Sequence, residues 1–301
     1  MVEKNKDLYP DLGLSDIITI LHDKDRGRLA REDFSACGVD IVSDFSYRND
    51  GDGFHDFDIY YGKSDGEILP AIIIVHGGGL VYGTKELDKN IGIIFAQNGF
   101  NVANINYRLL PDVTFIDQVK DVADAFSYIY ENSSKLKLNK DKIFILSDSA
   151  GSLLSLAAYA LMKDKKIRQI FAIDALDFDI CGMGFISPMT GLVKSGSLSL
   201  INEPARRNLS KEQVPFTDNI LKALANTTLP PSIIITSEED FIRDQAIDLK
   251  NFLDSKNIRN KFLDFKKKDS YPLGHGFAIS HPKLYESGLV LDEIIDFFEN
   301  I

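Results

Sequence analysis

Ser149 stands in the middle of Ser147-Asp148-Ser149-Ala150-Gly151, between an apolar run, Ile143 to Leu146, and a second apolar pattern with leucines at 153, 154 and 156. The first pattern reads as a strand and the second as a helix. The small residues between them read as a turn tight enough to push the Ser149 hydroxyl out of a sheet. A serine held that way suits nucleophilic attack on a carbonyl carbon. The plainer reading of the same residue is a helix N-cap, which serine often supplies, so the rest of the chain has to discriminate.

A serine hydroxyl is a weak nucleophile near neutral pH and needs a base, usually an imidazole, with a carboxylate to orient it. The chain has five histidines. His22 falls in an early helical pattern, His55 in a hairpin pattern, His76 in a glycine run, and His281 before Pro282 at the entry to the last helix. His275 lies between Gly274 and Gly276 after the last predicted strand. It is the candidate base, because serine, then acid, then histidine is the chain order when all three sit at strand ends of one α/β sheet.

For the acid, Glu238, Glu239 and Asp240 follow an apolar run at 232 to 236. Carboxylates there also suit the N-terminus of a following helix. Asp240 is the candidate because the carboxyl ends of parallel strands open on one edge, which it would share with Ser149 and His275. His76-Gly77-Gly78-Gly79, directly after the apolar run at 71 to 75, offers bare backbone N–H groups for a developing oxyanion. A flexible turn would also use glycines, but three in a row cost conformational entropy that a plain turn does not require. The N–H of Ala150, next to the nucleophile, is the expected second donor.

The elements that must position these groups follow from the apolar pattern. Residues 14 to 21 repeat as an amphipathic helix. Residues 39 to 47 and 54 to 61 alternate as edge-type strands, and Asn49 to Gly53 joins them as an antiparallel hairpin. From Ala71 the runs are continuous and β-branched, as in strands buried on both faces. Strands are expected at 71–75, 100–106, 142–146, 169–173, 232–236 and 261–265. Helices are expected between and after them at 87–98, 115–131, 150–162, 243–256 and 282–300. That alternation predicts an α/β fold, a mostly parallel central sheet flanked by helices. Residues 177 to 226 interrupt it with glycines, prolines and one helix near 217 to 225, the pattern of a lid.

The chain of 301 residues is 44% hydrophobic and has no linker-like tract, so one domain is expected. A net charge of −11 argues against nucleic acid and anionic lipid as partners. The N-terminus shows no apolar leader and no window is apolar enough to span a bilayer, so no stable membrane insertion and a cytoplasmic location are expected. Cys37 and Cys181 are far apart and lack metal-ligand spacing, so a reduced compartment and no metal site are expected, with a structural disulfide as the alternative. Oligomeric state has no sequence signal here, and a homo-oligomer stays open.

Taken together, HGGG at 76 to 79, YRL and Pro at 107 to 111, SDSAG at 147 to 151, DFIRD at 240 to 244 and HGF at 275 to 277 resemble the landmarks of the hormone-sensitive-lipase-like branch of the α/β-hydrolases, which includes many bacterial carboxylesterases. The resemblance spans most of the chain. It implies a single α/β-hydrolase domain over 1–301 with a helical cap made by about 1–38 and about 177–226. It also implies a serine carboxylesterase acting on small to medium esters through an acyl-enzyme, with no cofactor. Ser149, Asp240 and His275 would be catalytic. Gly78, Gly79 and Ala150 would bind the oxyanion, with Gly77 shaping the loop. Two departures stand out. Ser147 and Ser152 occupy positions where the family usually has glycine, which bears on strand–helix packing, and Leu80 replaces a common aromatic, which bears on the acyl pocket. The competing expectations are a non-catalytic ligand-binding protein on the same scaffold, and a hydrolase of amides, lactones or peptides.

Overall fold

The computed structural model describes residues 12–30, 38–194 and 196–301; Cys37 and the 1–11 and 31–37 parts of the expected cap lie outside the described residues. In chain order the first elements are α1 (Leu14–Leu29), β1 (Asp40–Ser46), β2 (Asp56–Tyr61), β3 (Pro70–Val75), α2 (Lys89–Gln97), β4 (Asn101–Ile105) and α3 (Phe115–Glu131). The middle of the chain forms β5 (Asn139–Asp148), α4 (Ser149–Lys163), α5 (Lys165–Phe171), β6 (Gly182–Ile186), α6 (Asn202–Arg206), α7 (Val214–Asp218) and α8 (Ile220–Ala223). The last part forms β7 (Ser232–Ser237), α9 (Arg243–Ser255), β8 (Asn260–Phe265), α10 (Phe277–Ser280) and α11 (Tyr285–Glu299).

Among the described residues one sheet of eight strands runs in the order β1-β2-β4-β3-β5-β6-β7-β8. β1 and β2 pair antiparallel, as do β2 and β4, and every other pair is parallel. The hairpin expected from Asn49 to Gly53 is present, but β2 is not an edge strand, because β4 pairs along its other side. The buried strands serve both faces of the sheet. Ile73, Ile143 and Ile145 face the layer of α3, α4 and α9. Ile72, Ile74, Phe144 and Leu146 face the layer of α2 and α11. Each such side chain contributes roughly 1.5–3 kcal/mol on burial, and this two-sided demand explains why the runs are continuous.

Two expectations fail here. Residues 169–173 do not form a strand: 165–171 are α5, capped by the Asp164 side chain, which accepts from the Lys166 N–H. Ile167, Ile170 and Phe171 sit at helical spacing, and that period wins over a short apolar run. The strand that takes the vacant place is β6, inside the segment read as an insertion. Its glycines resemble loop residues, yet a Cβ on Gly184 would stand 2.7 Å from Leu146 Cδ1, and one on Gly182 would stand 2.6 Å from Ile301 Cδ1. The crowded neighbours demand glycine in a strand. The connection from β6 to β7, residues 187–231, holds α6, α7 and α8 with short 3-10 turns among its described residues. One of those turns lies against α1.

Other shifts are local. α1 runs eight residues beyond the expected end at Leu21, to Leu29. The last helix begins at Tyr285, because α10 and a turn come first. Among the described residues no helix is long and apolar enough to cross a membrane.

Candidate active site

β5 ends at Asp148 and α4 begins at Ser149, so the predicted turn has no spare residue. Ser149 has φ +45°, a left-handed conformation that costs a side-chain-bearing residue about 1–2 kcal/mol. The turn closes because Gly151 lets α4 approach β3: a Cβ there would stand 2.1 Å from the Val75 carbonyl oxygen and 2.5 Å from that of His76. Ser147 and Ser152, the serines in place of glycine, are both buried, and the Ser147 hydroxyl donates to Ser152 Oγ at 3.3 Å. Bonded to each other, they fit without prying helix from strand.

Ser149, His275 and Asp240 come from the ends of three different strands and meet on one edge of the sheet. His275 Nδ1 lies 2.8 Å from Asp240 Oδ1. A carboxylate only accepts, so Nδ1 carries a proton, which in the neutral ring leaves Nε2 bare. Nε2 lies 2.8 Å from Ser149 Oγ, placed to accept the hydroxyl proton. Asp240 is buried, and it also accepts from Thr236 Oγ1 at 3.2 Å and from the Ile242 N–H at 3.0 Å. Burial acts to raise its pKa, but the charge and hydrogen bonds around it, His275 foremost, bring it below the usual value. The carboxylate is thus anionic at neutral pH. Phe241 lies against the imidazole, with ring centroids 4.5 Å apart.

The neighbouring carboxylates have other partners. Glu239 accepts from the Leu273 N–H at 2.8 Å, and the Ser237 hydroxyl donates to the Leu273 carbonyl, so both fix the loop that carries His275. Glu238 pairs with Lys266 at 2.8 Å on the surface. Of the remaining histidines, His55 is buried 2.7 Å from Asp50, and His281 follows α10 with Ser280 at 2.9 Å. His22 lies on α1, edge-on to Tyr82. None of these three approaches Ser149.

His76 underpins the glycine loop. Its Nδ1 donates to the Gly77 carbonyl at 2.7 Å, and its ring stacks on Tyr107 at 4.3 Å. Burial pushes its pKa down to about 4, so the ring is neutral. The Tyr107 hydroxyl donates to the His76 carbonyl at 2.8 Å, which gives the YRL motif a physical role. Gly78 and Gly79 have φ +115° and +60°, and a Cβ on Gly78 would stand 1.9 Å from the Tyr82 carbonyl oxygen. A Cβ on Gly77 would stand 2.2 Å from Asp148 Oδ2. The N–H groups of Val81 and Tyr82 close on the Gly78 carbonyl at 3.2 and 3.1 Å. Ala150 lies in the first turn of α4, where N–H groups have no partner within the helix and point to an anion. Leu80 is wholly buried with φ +70°, so its side chain packs into the core. Its carbonyl accepts from the Leu110 N–H at 2.9 Å and from Gln118 Nε2 at 2.8 Å.

Sequence reasoning missed Ser187 and Thr236, and it read Met189 only as a side chain of the core or of an apolar channel, not for its backbone N–H. Ser187 is buried at the end of β6, and its Oγ accepts the Gly276 N–H at 3.0 Å. The Met189 N–H donates to the Ser149 carbonyl at 3.0 Å. Both follow the strand whose glycines disguised it. A strand assignment at 182–186 was the signal that would have put Ser187 on the same edge as the candidates. Among the described residues no group of His, Cys, Asp and Glu side chains is arranged to hold a metal ion.

A family model described as BD-FAE matches residues 57–181. An arylesterase of Saccharolobus solfataricus is 28% identical over 180 residues, 57% of this chain and 58% of that protein. An acetyl esterase of Salmonella paratyphi B is 30% identical over 95 residues, 31% of this chain and 29% of that protein. The matches therefore span less than two thirds of the length of these curated relatives. Among solved structures, esterase B from Lactobacillus Rhamnosis superimposes with a TM-score of 0.87 at 21% identity, covering 95% of this chain and 93% of that one. A bacterial heroin esterase gives a TM-score of 0.71 at 20% identity, covering 95% and 91%. The chain therefore has the α/β-hydrolase fold, and in sequence it is similar to an arylesterase and an acetyl esterase.

Proposed function

We propose that the protein is a serine carboxylesterase that hydrolyses small to medium carboxylic esters through an acyl-enzyme. The observation that carries this reading is the proton path from Ser149 Oγ to His275 Nε2, with Nδ1 held on Asp240, both links being 2.8 Å. The similarity to an arylesterase and an acetyl esterase supports the same reaction class.

Ser149 attacks the ester carbonyl as His275 takes its proton, and Asp240 steadies the imidazolium that results. The N–H groups of Gly78, Gly79 and Ala150 bind the oxyanion, and Gly77 leaves room for Asp148 beneath the loop. His275 then gives the proton to the leaving alcohol. In the second half it takes a proton from water, whose oxygen attacks the acyl carbon and releases the acid and Ser149. The original Ser149 proton leaves on the alcohol and a water proton, passed through His275 to Ser149 Oγ, replaces it, so the cycle closes without a metal or cofactor.

α1 and residues 187–231 form the cap in this reading, supported by their contact with each other and by the descent of the insertion onto the Ser149 carbonyl through Met189. A reducing, cytoplasmic setting and no nucleic-acid partner belong to the same proposal, in keeping with the charge of −11 and the free thiol of Cys181. The test is a panel of p-nitrophenyl esters graded in acyl length, with an anilide and a lactone alongside. Short esters should turn over fastest, and Ser149→Ala should abolish turnover with the fold intact. Turnover of the anilide or lactone alone would move the substrate class, and turnover of no member would overturn the reading.

A further inference from the structure

Ser187 is the first residue after β6 and the root of the inserted segment. Its backbone is committed: the N–H donates to the Ile235 carbonyl at 2.8 Å, and φ is +49°. Its hydroxyl is committed as well. Oγ accepts the Gly276 N–H at 3.0 Å, and the hydroxyl stands near the Asp240 carboxylate, where it helps hold that carboxyl below its usual pKa. At 2% exposure, the bond to Gly276 does not compete with solvent.

Asp240 itself accepts from Thr236, Ile242 and His275, three of the roughly four lone-pair sites of a carboxylate. The Ser187 bond differs from these in kind. Thr236 and Ile242 belong to the same strand end and turn as Asp240, so they orient the acid alone. Ser187 comes from another strand and holds the backbone immediately after His275. Two residues on, the Met189 N–H reaches the Ser149 carbonyl.

We propose that Ser187 is a positioning residue for the reaction, a hydroxyl clamp that pins the His275 loop, through the Gly276 N–H, to the end of β6 and so holds the imidazole on its line to Asp240 and Ser149. Its effect on turnover rests on the esterase reading; its effect on the hydrogen bond between His275 and Asp240 does not. Without the hydroxyl, the Gly276 N–H loses its partner, so the loop that carries the imidazole is freer to leave the line to Ser149. Because the substrate's own contacts are untouched, the loss falls on kcat and spares KM.

Ser187→Gly is the decisive variant, since glycine accepts φ +49° without strain and the fold should hold. Ser187→Ala removes the same hydroxyl while keeping Cβ, and serves if the glycine variant does not fold. Either should lower kcat on p-nitrophenyl acetate by about tenfold or more, with KM within about twofold, the loss expected for one buried hydrogen bond. The low-field proton resonance of His275 Nδ1–H, assigned by its absence in His275→Gln, should shift or broaden in the same variants. A kcat within about twofold of wild type or an unmoved resonance would each overturn the clamp. If the wild-type protein turns over no ester while the resonance still moves, the esterase reading fails and the clamp stands.

Discussion

Gly78→Ala puts a methyl where the protein has backbone. The added Cβ would lie 1.9 Å from the Tyr82 carbonyl oxygen, whereas ordinary contact begins near 3.4 Å, so the loop or its partner has to move by about 1.5 Å. That carbonyl belongs to the turn that folds back to close on Gly78 itself, where the Val81 and Tyr82 N–H groups donate, so neither side yields cheaply. The residue also sits at φ +115°, outside what alanine adopts readily. A displacement of about 1 Å at groups that must meet the reacting centre costs on the order of 10²-fold in rate, and losing one oxyanion donor costs about 10²–10³. The expected result is a fall in kcat/KM of at least about 10² on p-nitrophenyl butyrate, carried by kcat. Gly79→Ala is the internal control. Its φ is +60°, its Cβ meets nothing within 4 Å, and alanine keeps its N–H, so it should cost about 1–2 kcal/mol of stability from the left-handed backbone and less than about tenfold in kcat/KM on the same butyrate ester. Steady-state kinetics with thermal melts on both variants checks this. Gly78→Ala as active as Gly79→Ala would refute the claim that the loop's position sets the rate.

Gly151→Ala drives a methyl to 2.1 Å from the Val75 carbonyl oxygen, and a melt should show a loss of about 3 kcal/mol or more, the upper range for overpacking; a loss below about 1 kcal/mol would mean that α4 can shift. Asp148 gives a pH test. Burial pushes its carboxyl up to about 6, and burial together with Asp148 itself pushes Asp88 up as well. The ordinary aspartate value is about 3.9. Between about 4 and 6 the folded state therefore keeps a proton that the unfolded chain has lost, so stability falls as pH rises through that window and stays lower above it. Asp148→Asn removes the penalty, and its gain in Tm should be present at about pH 8 and vanish below about pH 4. A gain of the same size at both ends of the range would contradict the assignment.

How much of this was legible depended on what each residue had to satisfy. Ser149, Asp240, His275 and the glycine loop were readable because each follows an apolar run, and parallel strands place their carboxyl ends together. The glycine loop also carried its own signature: three glycines in a row are costly unless the backbone needs them, and Gly77 and Gly78 meet Asp148 and Tyr82 where a Cβ would be. The acid among Glu238, Glu239 and Asp240 was a choice by position alone, and only the distances separate Asp240 from Glu239, which holds the histidine loop instead. β6 was hidden for the opposite reason. Gly182 and Gly184 are there for crowding from Leu146, Phe144 and Ile301, long-range neighbours that no local pattern reports. With the strand went its end, and with its end went Ser187. The apolar run near 169–173 looked like the missing strand because short apolar runs suit both periods; the Asp164 cap was the local sign of a helix. The pairing of Ser147 with Ser152 depends on two backbones meeting, and was likewise beyond a linear reading.

The central claim is that Ser149 is a nucleophile activated by His275. Incubating the protein with a fluorophosphonate and mapping the adduct by peptide mass spectrometry tests it directly. The account predicts one stoichiometric adduct on Ser149, with ester turnover lost in step, and no adduct in Ser149→Ala or His275→Ala. An unlabelled wild-type protein, or an adduct at another residue while ester turnover continues, would contradict it.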